Sequence, residues 1–223
     1  MIRAAIFDLG NVVIRIDLTA VPRRLAEMTG LPAEKVAAAL VDGGRRDLME
    51  IGRLSMQEYY RHVVALLDRP VSYDDFYSAW NSIYIGVSDG IEELLIGLRK
   101  TIRVVALTNT GSGHADWWRR EYAGVVSRFE KVFMSYEMGV CKPQPECFQR
   151  VLDYLSMAPA EVVFIDDHEP NVQAAVAMGI KGIVAKSTSQ ISRDLAAMGV
   201  RINRDAPYLS RRIPHRPGED KGK

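Results

Sequence analysis

The sequence predicts an α/β protein: a parallel sheet flanked by helices, with a small all-helical insert after its first strand. Three observations carry this reading. From Ser88 onward short apolar runs alternate with amphipathic stretches, as in repeated strand–helix units that build a parallel sheet. From Leu18 to Tyr84 the apolar residues recur at helical spacing, and no strand pattern appears. Polar and acidic residues stand where the apolar runs end, and open parallel sheets bind their ligands at those ends.

The first strand, around Ile6-Phe7, is bounded by Arg3 and by Gly10-Asn11 and reads as buried on both faces. Gly10 and Asn11 are residue types that readily take positive φ, so a sharp turn is expected after Asp8. Leu18, Val21, Leu25 and Met28 share one helix face, stopped by Gly30 and Pro32. A second helix opens at Pro32 and ends at Gly43-Gly44. Ser55-Met56-Gln57-Glu58 is a capping box for a third helix reaching about Leu67. A fourth starts at Asp74 or Asp75 and carries Phe76, Tyr77, Trp80, Ile83 and Tyr84. The sheet then resumes. Helix 91–98 leads to strand 102–107, helix 113–123 to strand 132–135, and helix 145–155 to strand 162–165. A helix from about Pro170 to Gly179, a strand 182–185 and a helix 189–198 complete it. Trp117 and Trp118, adjacent on a helix, point about 100° apart, so one is expected on the sheet and the other toward the insert or a second subunit. Residues 201–223 are basic and poor in apolar groups, the pattern of a flexible tail.

Composition narrows the function. The chain has 223 residues, 48% hydrophobic and 26% charged, with a formal net charge of +1. That balance gives no reason to expect nucleic acid or a membrane surface as the partner. No run is long enough to span a bilayer, and a strand starting at Ile2 leaves no room for a signal peptide. Cys141 and Cys147 match no common zinc spacing and fit a reducing compartment, so a cytoplasmic protein is expected.

Four stretches carry chemistry. They are Phe7-Asp8-Leu9-Gly10-Asn11-Val12-Val13, Leu107-Thr108-Asn109-Thr110, Gly139-Val140-Cys141-Lys142-Pro143 and Ile165-Asp166-Asp167-His168-Glu169-Pro170-Asn171. A carboxylate such as Asp8 at the end of a buried strand must be paired, hydrogen-bonded or on a metal. Two adjacent acids, Asp166 and Asp167, repel one another without a cation. In this order and spacing the four stretches resemble the haloacid-dehalogenase-like (HAD) hydrolase superfamily over residues 2–200.

The resemblance implies a Rossmann-like core (1–14 and 87–200) and a helical cap (15–86). It also implies a magnesium-dependent phosphatase of small phosphorylated metabolites, monomeric or homodimeric. Glu50-Ile51-Gly52-Arg53-Leu54-Ser55 looks like a segment of caps in sugar-phosphate phosphatases related to glucose-1-phosphatase. By that likeness Asp8 is the nucleophile that forms an aspartyl-phosphate. Asp8, the Gly10 carbonyl and Asp167 would hold Mg2+, with Asp166 behind them or sharing the ion. Lys142 would neutralise the phosphoryl oxygens, Thr108 and Asn109 would donate to them, and Asn171 would order the loop of Asp167. Arg45, Arg46, Tyr59, His62, Trp80 and Asn81 are candidates to line the substrate cleft, with Arg45, His62 and Trp80 foremost.

One position departs from the pattern. Phosphatases of the superfamily carry a second aspartate two residues after the nucleophile, as acid and then base; here it is Gly10. General acid–base help is worth about 10²–10⁴ in rate. Three accounts are open: a leaving group that needs little protonation, which is favoured; a stand-in from the cap, with Asp17, Glu50 and His62 nearest; or a slow or inactive enzyme. Two rivals follow, a metal-free haloacid dehalogenase using the same aspartate and a HAD-like scaffold that binds without turnover.

Overall fold

A computed structural model describes residues 1–203. The sheet strands are β1 (Ala4–Phe7), β4 (Arg103–Thr108), β5 (Val132–Met134), β6 (Val162–Asp166) and β7 (Lys181–Val184). A separate pair is formed by β2 (Ile14–Ile16) and β3 (Tyr84–Val87). Helices α1 (Ala20–Thr29), α2 (Ala33–Val41), α3 (Arg45–Glu50), α4 (Met56–Leu67) and α5 (Tyr73–Trp80) lie between β2 and β3. The remaining helices are α6 (Ile91–Leu98), α7 (Ser112–Glu121), α8 (Ala123–Val126), α9 (Ser135–Met138), α10 (Pro145–Leu155), α11 (Glu169–Ala177) and α12 (Thr188–Ala197).

The five sheet strands pair in parallel in the order β5-β4-β1-β6-β7, so β1 is central. Side chains alternate across a strand, and β1 shows the consequence. Ala5 and Phe7 enter one apolar cluster with Leu95, Trp118 and Leu195, from α6, α7 and α12. Ala4 and Ile6 enter the other with Phe148, Val151 and Val172, from α10 and α11. All four β1 residues are fully buried. The strand is thus held from both faces, and its register with β6 (Phe7 opposite Ile165) carries Asp8 level with Asp166.

The helical segment has an apolar cluster of its own, with Leu25, Val36, Tyr59, Val63, Phe76 and Trp80 at its centre. The expectation of helices alone between the first strand and Val87 needs correction. Residues 14–16 and 84–87 form an antiparallel hairpin-like pair where the chain leaves and re-enters the sheet layer. Arg15 and Ile85 are exposed and Gly86 interrupts β3, so no apolar alternation marks either strand. Gly43 and Gly44, with φ of 63° and 66°, end the second helix as expected, but a further short helix, α3, follows them that the spacing did not show. Leu18 and Met28, expected on the buried face of α1, are exposed. Of the two turn residues after Asp8 only Asn11 takes positive φ, at 53°. Trp118 is the sheet-packing tryptophan, while Trp117 meets Tyr77 of α5 at 6.2 Å between ring centroids. The basic stretch lies outside the described residues from position 204 onward.

Gly52 fastens the helical segment to the sheet layer. Its φ is +72°, and a Cβ there would sit 2.3 Å from the Tyr136 carbonyl oxygen. Only a residue without a side chain allows that backbone approach. Left-handed backbone costs other residues roughly 1–2 kcal/mol, and overpacking adds about 1–3 kcal/mol. Gly52→Ala is therefore expected to lower the free energy of unfolding by about 2–5 kcal/mol, read from urea melts.

Candidate active site

Asp8, directly after β1, and Asp166, the last residue of β6, are both buried, and Lys142 reaches between them. Its Nζ lies 2.8 Å from Asp8 Oδ1 and 2.7 Å from Asp166 Oδ2. Burial pushes the Asp8 carboxyl up to about 6, against the pull of Lys142. Burial would lower the Lys142 ammonium, but the two carboxylates outweigh it and hold it above its usual range. Asp166 is further fixed by Asn171 Nδ2 (3.1 Å) and by the His168 backbone N–H (2.8 Å). With three donors on it, Asp166 serves the lysine first. Asn171 thus orders the stretch that holds Asp167 through the neighbouring Asp166.

Asp167 is exposed, and its Oδ2 accepts from Asn11 Nδ2 at 3.1 Å. Asn11 Oδ1 in turn accepts from the Ile16 N–H, so this one side chain ties the tight turn to β2 and to the end of β6. Oxygen atoms of Asp8, Asp166 and Asp167 lie within 4.8 Å of one another. Three carboxylates facing one ammonium leave an excess of negative charge in a largely buried place. An all-oxygen donor set with that excess fits a hard divalent cation.

The loops after β4 and β5 are laced together. Asn109 Oδ1 accepts from the Lys142 N–H at 2.8 Å, and Asn109 Nδ2 donates to the Lys142 carbonyl at 2.9 Å. The Asn109 amide thus clamps the backbone of the lysine, a task the sequence did not suggest. Ser135 Oγ accepts from the Thr110 N–H (2.8 Å) and donates to its carbonyl (3.2 Å). Thr108 is buried at the strand end.

A cavity of about 80 Å³ opens between these loops and the helical segment. Gly10, Thr108 and Asn109 line it from below, Arg46 and Glu50 from α3, and His114 from α7. A second cavity of about 120 Å³ adjoins it and shares Leu18, Arg46, Ile83 and His114 as walls; Trp80 and Tyr59 also line it. Of the foremost cleft candidates, Trp80 lines only this second cavity, while Arg45 is exposed and Arg45 and His62 line neither. The adjacent Arg46 takes the place expected of Arg45, because α3 turns it inward. Tyr59 is mainly a structural residue, donating its hydroxyl to the Leu40 carbonyl. Among the three proposed stand-ins for the missing acid, Glu50 lines the cavity. It is paired with Arg46 at 3.2 Å, whereas Asp17 accepts from Thr19 at the start of α1.

His114 escaped the sequence reading. It is buried, stacks on Trp80 (centroids 4.7 Å apart, planes 10°), and its Nδ1 lies 2.9 Å from Asn81 Oδ1. Burial first and Arg46 second push its imidazolium down to about 3.

Residues 2–179 match the family model for haloacid dehalogenase-like hydrolases. The chain belongs to this family. Within it, the HAD-like chain is 25% identical over 186 residues to D-ribitol-5-phosphate phosphatase of Bacteroides thetaiotaomicron. That alignment covers 81% of this chain and 90% of the relative. A HAD family enzyme of known structure from the same organism superposes with a TM-score of 0.79 at 29% identity, over 87% of this chain and 98% of that one. The same enzyme has been crystallised with magnesium and inorganic phosphate. An L-2-haloacid dehalogenase from Xanthobacter autotrophicus matches at TM-score 0.60 over 90% of this chain and 84% of that one; its 18% identity extends to the fold alone.

The neutral His114 has a consequence for stability. Its folded-state pKa lies below the unfolded value of about 6.5, so the unfolded chain binds the extra proton. The stability held above pH 6.5 is lost as pH falls toward 3, with a slope of up to about 1.4 kcal/mol per pH unit. His114→Phe is expected to flatten the unfolding free energy between pH 6.5 and 4 relative to the unaltered protein, as measured by urea melts at fixed pH.

Proposed function

We propose that this chain is a magnesium-dependent phosphatase of small, hydroxylated phosphate monoesters, and that Asp8 is its nucleophile. The observation that carries this reading is the buried Asp8–Lys142–Asp166 chain with Asp167 alongside. It pairs one carboxylate with a fixed cation and leaves oxygen ligands for a metal. The relative named for D-ribitol 5-phosphate and the magnesium–phosphate complex of the structural neighbour support it. Residues 15–86 act in this reading as a cap over a core formed by 1–14 and 87–200. A monomer or a homodimer fits this reading. Free Cys141 and Cys147 suit a cytoplasmic setting.

Asp8, Asp167 and the Gly10 carbonyl would hold Mg2+, with Asp166 fixing Lys142 beside them. When bound, the ion neutralises charge that would otherwise keep an anionic phosphate from a carboxylate. The Asp8 carboxylate attacks phosphorus, the bond to the substrate oxygen breaks, and an aspartyl-phosphate forms. Lys142 places its positive charge on the phosphoryl oxygens, where charge must be held through the transfer. Water then adds to phosphorus, releasing phosphate and restoring Asp8. The departing oxygen needs a proton that no side chain at position 10 can give. Leaving groups that depart readily, such as an anomeric oxygen or an acyl phosphate, are therefore the favoured substrates. A dehalogenase needs no metal, and the three clustered carboxylates argue against that rival.

Two experiments test this. A panel of phosphorylated metabolites with magnesium should give phosphate release that Asp8→Asn abolishes, and rapid acid quench with labelled substrate should trap phosphate on the unaltered protein. No release with any substrate, or release untouched in Asp8→Asn, would contradict it. Gly10 supplies the second. A Cβ there would meet only Ile16 Cδ1 at 3.4 Å and Asp8 Oδ2 at 3.9 Å, and its φ is not left-handed, so a side chain fits. Gly10→Asp should raise kcat for simple alkyl phosphates by about tenfold or more and lower the trapped phosphoenzyme fraction.

A further inference from the structure

The unexplained group beside the site is His114. Its chemistry is fixed by a chain of hydrogen bonds that starts 33 residues earlier. Asn81 is buried, and its Nδ2 donates to the Tyr77 carbonyl at 3.0 Å. The other end of the amide, Oδ1, can only accept, and it faces His114 Nδ1 at 2.9 Å. The proton of the neutral ring must therefore sit on Nδ1, and Nε2 carries a lone pair. His114 makes no other hydrogen bond among the described residues, so that lone pair has no protein donor. The ring nevertheless walls both cavities. The stacked Trp80 adds a second anomaly, a buried Nε1–H with no acceptor. A buried donor left alone in this way calls for an explanation, and a polar ligand beside the stacked pair gives one.

We propose that His114 reads a hydroxyl of the substrate's carbon skeleton, which donates its hydrogen to Nε2. Asn81 is then a positioning residue that fixes the tautomer. Arg46 and Glu50 line the cavity over the strand tips as well, so beside its apolar walls (Ile14, Ile16, Leu18, Ile83) it offers a donor and acceptors to a hydroxylated chain. A neutral ring can accept from a hydroxyl throughout the working pH range and cannot serve as the missing general acid. A substrate that lacks the hydroxyl leaves that lone pair without a donor once the substrate has displaced water, which is how sites built to bind a hydroxyl discriminate against its absence. This assignment rests on the phosphatase reading, and its test is arranged so that the two can fail separately.

The first measurement is the tautomer, from long-range proton–nitrogen NMR of histidine-labelled protein at pH 7, with no substrate needed. A protonated Nδ1 and bare Nε2 are expected at His114, with the tautomer released in Asn81→Leu. A protonated Nε2 or a charged ring would overturn the assignment. The second compares kcat/KM for a pentitol phosphate and for n-pentyl phosphate, with magnesium, in the unaltered protein, His114→Phe and His114→Gln. A preference of about tenfold or more for the pentitol ester is expected, collapsing toward unity in the Phe variant. It should return in part with Gln, whose amide oxygen reaches the Nε2 position. The same preference in all three would overturn the proposal. If neither ester is hydrolysed, as poor leaving groups without a protonating acid would allow, both are compared again in the Gly10→Asp background, and no turnover there either makes the phosphatase reading fail. His114 is then judged by titrating the unaltered protein with pentitol phosphate: a shifted Nε2 resonance supports its role in binding, and an unmoved one removes it.

Discussion

The structure depends on one cation placed between two buried carboxylates. Without Lys142 the two buried carboxylates would face each other unpaired, and removing one partner from a buried pair costs about 3–5 kcal/mol. Lys142 in turn cannot wander. Its backbone is gripped on both sides by the Asn109 amide, and Asp166 is held by Asn171 and the His168 N–H. The fold meets these demands through the order of its strands. With β1 central and β4 and β6 on either side, three successive strand tips and the loop after β5 converge on one point. The carboxylate excess that Lys142 leaves uncompensated is what gives the site its appetite for a divalent ion.

The helical segment answers a different requirement. Phosphate chemistry in a low-dielectric pocket demands exclusion of water, and recognition of the rest of the substrate demands walls. Gly52 brings the segment against the Tyr136 backbone, and α3 then presents Arg46 and Glu50 over the strand tips. The Asn81–His114 bond joins the end of α5 to α7, so the upper wall shares a polar contact with the sheet layer.

Much of this was legible in the residues themselves. Asp8, Thr108-Asn109 and Asp166-Asp167 stood out because each ends an apolar run, where a parallel sheet exposes its functional end, whereas Lys142, in a loop, stood out only through the family resemblance. What stayed hidden has physical reasons. The β2–β3 pair is three and four residues long, with exposed positions and a glycine, so it leaves no periodic trace. Helix α3 has six residues, too few for its spacing to say which of Arg45 and Arg46 turns inward. Asn109 was read as a phosphate donor, and its clamp on the Lys142 backbone is an additional task reached only through folding. His114 acquires its meaning from Asn81 and Trp80, which no local pattern connects to it.

The most direct test of the charge imbalance is magnesium binding without any substrate, by titration calorimetry on the unaltered protein and on Asp167→Asn. The account predicts one magnesium ion per chain and a loss of affinity of about tenfold or more when that carboxylate is neutralised. Binding of equal strength in both proteins, or no magnesium binding to the unaltered one, would contradict it.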